Sequence, residues 1–224
     1  MITSIKWSPN GDVFAVGSFE MLRLCDKSGW SHSFDKPASG SMLSLSWSHD
    51  GTVVCGAGGN GAVTFGYIVD RQLQWSNVEA ILDEDNRVNV IDPMHGINED
   101  LEFSQRVVNM SMCFSNIIVC TTNQCHVYNI MQQNWASPFV FDVKDSVQMI
   151  VQGHKFFALI DASQNFNIYS YDGKLISSPK YQGLRVEFLN KRHISIASDV
   201  LAIIDPTNPK IVRIFDIISG KPSA

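Results

Sequence analysis

Ile5-Lys6-Trp7-Ser8-Pro9-Asn10-Gly11-Asp12-Val13-Phe14-Ala15-Val16-Gly17-Ser18 is written a second time as Leu45-Ser46-Trp47-Ser48-His49-Asp50-Gly51-Thr52-Val53-Val54-Cys55-Gly56-Ala57-Gly58. Trp7 and Trp47 stand 40 residues apart, and so do Gly11 and Gly51. Each copy reads as strand, polar turn, strand, because Pro9-Asn10-Gly11 and His49-Asp50-Gly51 interrupt runs of β-branched and aromatic residues. Asn-Gly and Asp-Gly accept the positive φ of a tight hairpin at little steric cost.

A period near ~40 residues with four short strands per unit is the signature of a WD40-type β-propeller blade. Met21-Leu22-Arg23-Leu24-Cys25-Asp26 is the third strand of the first unit, with Cys25-Asp26 where such repeats end in an aromatic-Asp pair. Phe34 begins its outer strand, and the second unit runs from Met42 to about Leu82. The phase then breaks at Asp83-Glu84-Asp85-Asn86-Arg87. Weaker copies follow at Val107 to Asn129 and Val147 to Gly173. A last copy begins near Arg185-Val186-Glu187-Phe188 and closes on Phe215-Asp216 and Ser219-Gly220-Lys221. Helical spacing is nearly absent, so the chain reads as all-β with about five WD40-type blades. A propeller ring closes with typically ~4–8 blades. The expectation is therefore an incomplete assembly from two tandem propellers. Residues 1–82 would be the last two blades of the first, and 83–224 the first three of the second. A linker or closing-strand segment, 83–106, would open the second part. The chain is expected to be a piece of a longer protein.

An apolar content of 45% is that of a packed globular chain. A net charge of −5 with no cluster of Lys and Arg argues against a nucleic-acid surface. No apolar run approaches the ~18 residues of a membrane helix, and Met1 is followed by a strand pattern rather than a signal sequence. No membrane insertion is expected. The five cysteines, Cys25, Cys55, Cys113, Cys120 and Cys125, fall mostly inside apolar strands and read as reduced thiols of a cytosolic protein.

Candidate chemistries fail on spacing. Gly56-Ala57-Gly58-Gly59-Asn60-Gly61 precedes a strand, where a phosphate cradle needs a helix. Asp83, Glu84, Asp85, Glu99, Asp100 and Glu102 lack the alternation of a calcium loop. Cys113, Cys120, Cys125 and His126 lack the pairing of a zinc site, and Cys125 and His126 are adjacent on a strand, hence on opposite faces. His154 and His193 fit a turn or hydrogen-bonding role. Trp7, Trp47, Trp75 and Trp135 fit packing between blades rather than base stacking. No catalytic, cofactor-binding or metal residue is expected. The candidate protein-contact residues are Asp92, Met94, His95, Glu99 and Asp100, in a loop read as Asp92 to Asp100. The polar turns at Lys27 to Ser33 and Asp205 to Lys210 are further candidates.

Phe14 to Phe19 running into Leu22-Arg23-Leu24-Cys25-Asp26-Lys27-Ser28-Gly29-Trp30-Ser31 resembles the intraflagellar transport protein 80 family. Leu101-Glu102-Phe103, Tyr169-Ser170-Tyr171-Asp172-Gly173, Ile176-Ser177-Ser178-Pro179-Lys180 and Ser219-Gly220-Lys221-Pro222 extend the likeness along the chain. The resemblance implies a non-enzymatic scaffold subunit of intraflagellar transport complex B, built as two propellers and a helical region. It would act in cilium assembly through contacts with other complex B subunits, and in a homodimer as a further option. The implied places are the ciliary axoneme, the ciliary base and the cytoplasm. The alternative is a generic WD40 adaptor or vesicle-coat-like subunit.

Overall fold

The computed structural model describes residues 1–222 apart from Asn10, Asp50, Val69, Asp70 and Gln182, and without the side chain of Glu187. The chain divides into two compact units, Met1–Val69 and Asp70–Ala224. In the first, β1 (Ile2–Trp7), β2 (Val13–Ser18), β3 (Met21–Asp26) and β4 (Ser31–Asp35) form one antiparallel sheet in chain order. A second sheet holds β5 (Met42–Trp47), β6 (Val53–Gly58) and β7 (Val63–Tyr67). The sequence repeat is also a repeat of hydrogen bonds. Ser8 N donates to Val13 O at 2.9 Å, and Ser48 N to Val53 O at 2.9 Å. Gly11 N donates to Ser8 O at 3.0 Å, and Gly51 N to Ser48 O at 3.1 Å. Gly11 and Gly51 hold φ of 73° and 75°, the left-handed region that glycine enters without strain. The turn residues Asn10 and Asp50 lie outside the described residues.

Ala15, Leu22, Met42, Leu45 and Val54 form the core of this unit. Met42 is wholly buried, and a Cβ at Gly17 or Gly56 would stand 2.8 Å or 2.2 Å from its side chain. The two glycines therefore make the space that Met42 fills. Thr3 Oγ1 and Ser4 Oγ donate to Met42 O at 2.6 and 2.8 Å, fastening β1 to β5.

The described residues of the second unit form four sheets. They are β8 (Gln72–Trp75) to β9 (Val78–Glu84), β10 (Arg87–Asp92) and β11 (Ile97–Glu102); then β12 (Val107–Cys113), β13 (Asn116–Thr121), β14 (Gln124–Asn129) and β15 (Phe139–Asp142). After these come β16 (Val147–Gln152), β17 (Phe156–Asp161), β18 (Phe166–Ser170) and β19 (Leu175–Ser177), and finally β20 (Ile194–Ile196), β21 (Val200–Ile204) and β22 (Val212–Asp216). Successive sheets stack face to face, because alternate residues of one strand enter different cores. Ile117 and Val119 of β13 pack with Val88, Val90 and Leu101, whereas Ile118 and Cys120 pack with Val147, Ile150 and Phe157. Ala158 and Ile160 of β17 in turn meet Leu201, Ile203 and Phe215. This is why every residue of β13 is buried. Each fully buried Ile, Leu or Phe contributes roughly 1.5–3 kcal/mol from the apolar surface it removes from water.

Three sequence expectations are revised. The units part at 69/70 rather than 82/83. Residues 83–106 are not a linker: β9 and β10 are the centre of a four-stranded sheet, with Ala80 opposite both Leu73 and Val90. The described residues accordingly make six sheets, two in the first unit and four in the second, one more than the repeats suggest. The mistake lay in ending the second repeat at Leu82, which merged β8 and β9 with the preceding sheet. The last copy also starts later than Arg185. Residues 186–188 and 191–193 are 3-10 turns, and β20 begins at Ile194.

Candidate protein-contact surface

The third strand of several sheets ends in a side-chain carbonyl or carboxylate that caps the next turn. Asp26 accepts from Ser28 N at 2.8 Å and Trp30 N at 3.0 Å. Asn129 accepts from Gln132 N at 2.9 Å and Asp216 from Ser219 N at 2.7 Å. Asp92, last residue of β10, belongs to this set: it accepts from Met94 N at 3.0 Å, His95 N at 3.4 Å and the His95 Nδ1 at 2.6 Å. The His95 imidazole, followed by the backbone amides, holds the Asp92 carboxyl below its ordinary range despite burial. At 2% exposure Asp92 is a turn cap whose carboxylate is turned inward.

The five candidate residues are thus not gathered on one loop. Met94 and His95 form the exposed tip of the β10–β11 hairpin, where Asn77 Nδ2 lies 2.8 Å from Met94 Sδ. Glu99 and Asp100 are on β11 itself, paired with Val90 and Asn89, and so point to opposite faces of the sheet. Asp100 accepts from Arg87 at 2.6 Å and Asn89 at 2.8 Å, and both bonds lower its pKa, Arg87 most. Asn89 also donates to Asn98 at 3.2 Å, and Gln72 to Glu79. The face of β8–β11 turned away from β12–β15 carries these paired polar side chains around Ile81 and Ile91. Sequence reading missed Arg87, Asn89 and Asn98 because it put Arg87 in a charged turn and Asn98 in a loop, and so never placed the three on one sheet face. Their alternation with Val88, Val90 and Leu101 was the available signal.

The other expected turns are closed by their own contacts. Asp205 is buried and accepts from Thr207 N at 3.0 Å, Thr207 Oγ1 at 2.6 Å and Arg213 Nε at 3.1 Å. Arg213 also lies over the Tyr181 ring at 4.4 Å. In the 27–33 turn, Lys27 pairs with Asp12 at 2.9 Å. Trp75 and Trp135 pack against the first core of the second unit and Trp47 against that of the first, whereas Trp7, tilted against Phe14, is half exposed.

A cleft of about 320 Å³ is lined by Gln164, Asn165, Asn167, Ser178, Lys180 and Tyr181. Ser178 donates to Asn167 and Asn165 to Asp161, so these side chains serve the fold, while the buried Tyr181 hydroxyl has no hydrogen-bond partner. Among the described residues no group of three His, Cys, Asp or Glu could hold a metal ion, and no helix is long and apolar enough to cross a membrane. His126 stacks edge-on to Phe103 at 5.0 Å on the face opposite Cys125, and burial lowers its pKa.

A family model described as IFT80 second beta-propeller matches residues 70–224, the span of the second unit. Two curated relatives, Intraflagellar transport protein 80 homologs of Rattus norvegicus and Mus musculus, are each 40% identical over 222 residues. The match covers 99% of this chain and 28% of each relative, so the chain spans little more than a quarter of their length. Among solved structures, the computationally designed Ika8 protein aligns over 100% of this chain and 86% of its own, with 9% identity and a TM-score of 0.41, too distant to bear on the fold. With 70–224 matched as a second propeller and the whole length aligned to these relatives, the chain belongs to the intraflagellar transport protein 80 family.

Proposed function

We propose that this chain is part of a non-enzymatic scaffold subunit of intraflagellar transport complex B, which acts in cilium assembly through protein–protein contacts. The observation that carries the reading is 40% identity over 99% of the chain to relatives named for intraflagellar transport. The packing is consistent with it: many polar side chains cap turns or fasten one sheet to the next. In this reading the first unit closes one propeller and the second unit opens another. The partners are other complex B subunits, with a second copy of the chain as a further partner, and the place of action is the cilium, at the axoneme and the ciliary base. Met94 and His95 at the β10–β11 tip, with Glu99 and Asp100 on its two faces, are the contact residues; Asp92 positions the tip.

Affinity purification of the tagged protein from ciliated cells, read by mass spectrometry, tests the assignment. Complex B subunits are the expected co-purifying proteins. Recovery of vesicle-coat subunits in their place would overturn it. Met94→Glu, at a side chain 72% exposed, should lower that recovery without lowering the unfolding midpoint.

A further inference from the structure

Cys120 and Cys125 stand directly opposite each other on β13 and β14. Both are wholly buried, and their Sγ atoms are 3.3 Å apart. Directly opposed residues of antiparallel strands have Cα atoms about 4.5–5.5 Å apart, inside the 4.4–6.8 Å range that a disulfide spans. Closing the gap to a bond of about 2.05 Å needs side-chain rotation and no movement of the strands. The surroundings select the product. Ile118, Val127, Val147, Ile150 and Phe157 enclose the pair in an apolar cluster. A thiolate–metal complex would place charge in this core, whereas a disulfide is neutral and apolar. Burial pushes the Cys125 thiol up, so the closed core protects the pair. The route in is the hairpin end: each cysteine lies one residue from the turn side of the ladder, and Thr122 and Asn123 are exposed. Both thiols border the same turn, so peroxide that enters at an opened hairpin end meets the two together, while the rest of β13 stays closed.

We infer that Cys120 and Cys125 are a redox-set staple, closed to a disulfide by hydrogen peroxide and reopened by a dithiol. In the first step one thiolate attacks a peroxide oxygen. The S–O bond forms, the O–O bond breaks and the distal oxygen leaves as hydroxide, which takes up the thiol's proton to become water, so the sulfur becomes a sulfenic acid. The other thiol then attacks the sulfenic sulfur. The S–S bond forms, the S–O bond breaks, and a second water leaves with the thiol proton. The two sulfurs together lose two electrons and the peroxide gains two.

The test treats the native full-length protein with graded hydrogen peroxide, quenches it, and unfolds it in N-ethylmaleimide. Trypsin releases Val107 to Lys144, which holds Cys113, Cys120 and Cys125. The expected change is from three maleimide adducts to one, carried by Cys113, and a return to three after dithiothreitol. A Cys113→Ser protein should go from two adducts to none. Retention of adducts on Cys120 and Cys125 while the half-buried Cys55 or Cys113 oxidises would overturn the inference. Loss that dithiothreitol does not reverse would overturn it as well.

Discussion

Asp205 shows what a single carboxylate does in this fold. The Thr207 hydroxyl first, then the Thr207 amide and Arg213, lower its pKa from 3.8 to about 2 against the opposing effect of burial. A depressed folded-state pKa means the folded state binds the proton less readily than the unfolded one. Its contribution is therefore complete above the unfolded value of 3.8 and drains away as pH falls toward 2. Acid unfolding followed by tryptophan fluorescence should show this loss, and Asp205→Asn should flatten the pH dependence in that window. Glycines offer a second residue-scale contrast. A Cβ at Gly58 would stand 2.3 Å from the Ser39 carbonyl oxygen, a backbone atom that cannot rotate away. At Gly11 nothing lies within 4 Å, and the only penalty is the positive φ. Gly58→Ala should destabilise by about 1–3 kcal/mol through overpacking. Gly11→Ala should cost about 1–2 kcal/mol through the left-handed backbone alone. Urea midpoints, with a crystal structure of the Gly58 variant to show the displaced Ser39 segment, separate the two causes.

At the scale of elements, side chains at strand ends fasten each sheet to the next. Gln152, last in β16, accepts from Ser111 Oγ at 2.7 Å and donates to Cys113 O and Asn116 O, both at 3.2 Å. Tyr171 donates to Gly153 O at 2.6 Å beside it. Gln152→Ala leaves two carbonyls and a hydroxyl without this partner, and should lower stability by about 1–3 kcal/mol in chemical denaturation. Arg87→Ala breaks the pair with Asp100, but both side chains are over a third exposed, so less than about 1 kcal/mol should be lost. These elements also mark how far the sequence could be read. The first hairpin was legible because Trp, Ser and Gly recur in phase at 7 and 47, 8 and 48, 11 and 51. The same regularity hid β8–β11: that sheet has no such fingerprint, and one of its faces mixes Arg87, Asn89, Asn98 and Asp100 with Ile81 and Ile91. The Asp92 to Asp100 stretch looked like a loop because a hairpin with polar residues on its open face has loop composition. What separates the two is the alternation with Val88, Val90 and Leu101, a weak signal over strands of six residues. The role of Asp92 was out of reach, since only the fold shows that its carboxylate turns inward.

At the scale of the whole molecule, each sheet of the second unit touches only its neighbours, as the three separate cores require. Stability in such an array is close to a sum of sheet and nearest-neighbour terms. Protection from amide hydrogen exchange should therefore be highest in β13 and β17, whose faces are covered on both sides, and fall toward β8 and β22. Uniform protection across the four sheets would contradict this. The fastenings between sheets carry one more implication. Thr3 to Met42, Asn109 to Gln148, Ser111 to Gln152 and Ser177 to Ile217 span 39, 39, 41 and 40 residues. The first three bonds each reach within one residue of the donor's counterpart in the next copy, while Ser177 of an outer strand reaches Ile217 beyond the next sheet's third strand, so an in-frame gene duplication of about 40 codons would supply a new donor and a new acceptor at once. Natural length variation in this part of the gene should come in whole-repeat steps, because a shorter insertion within a strand would disengage a copy from both of its neighbours.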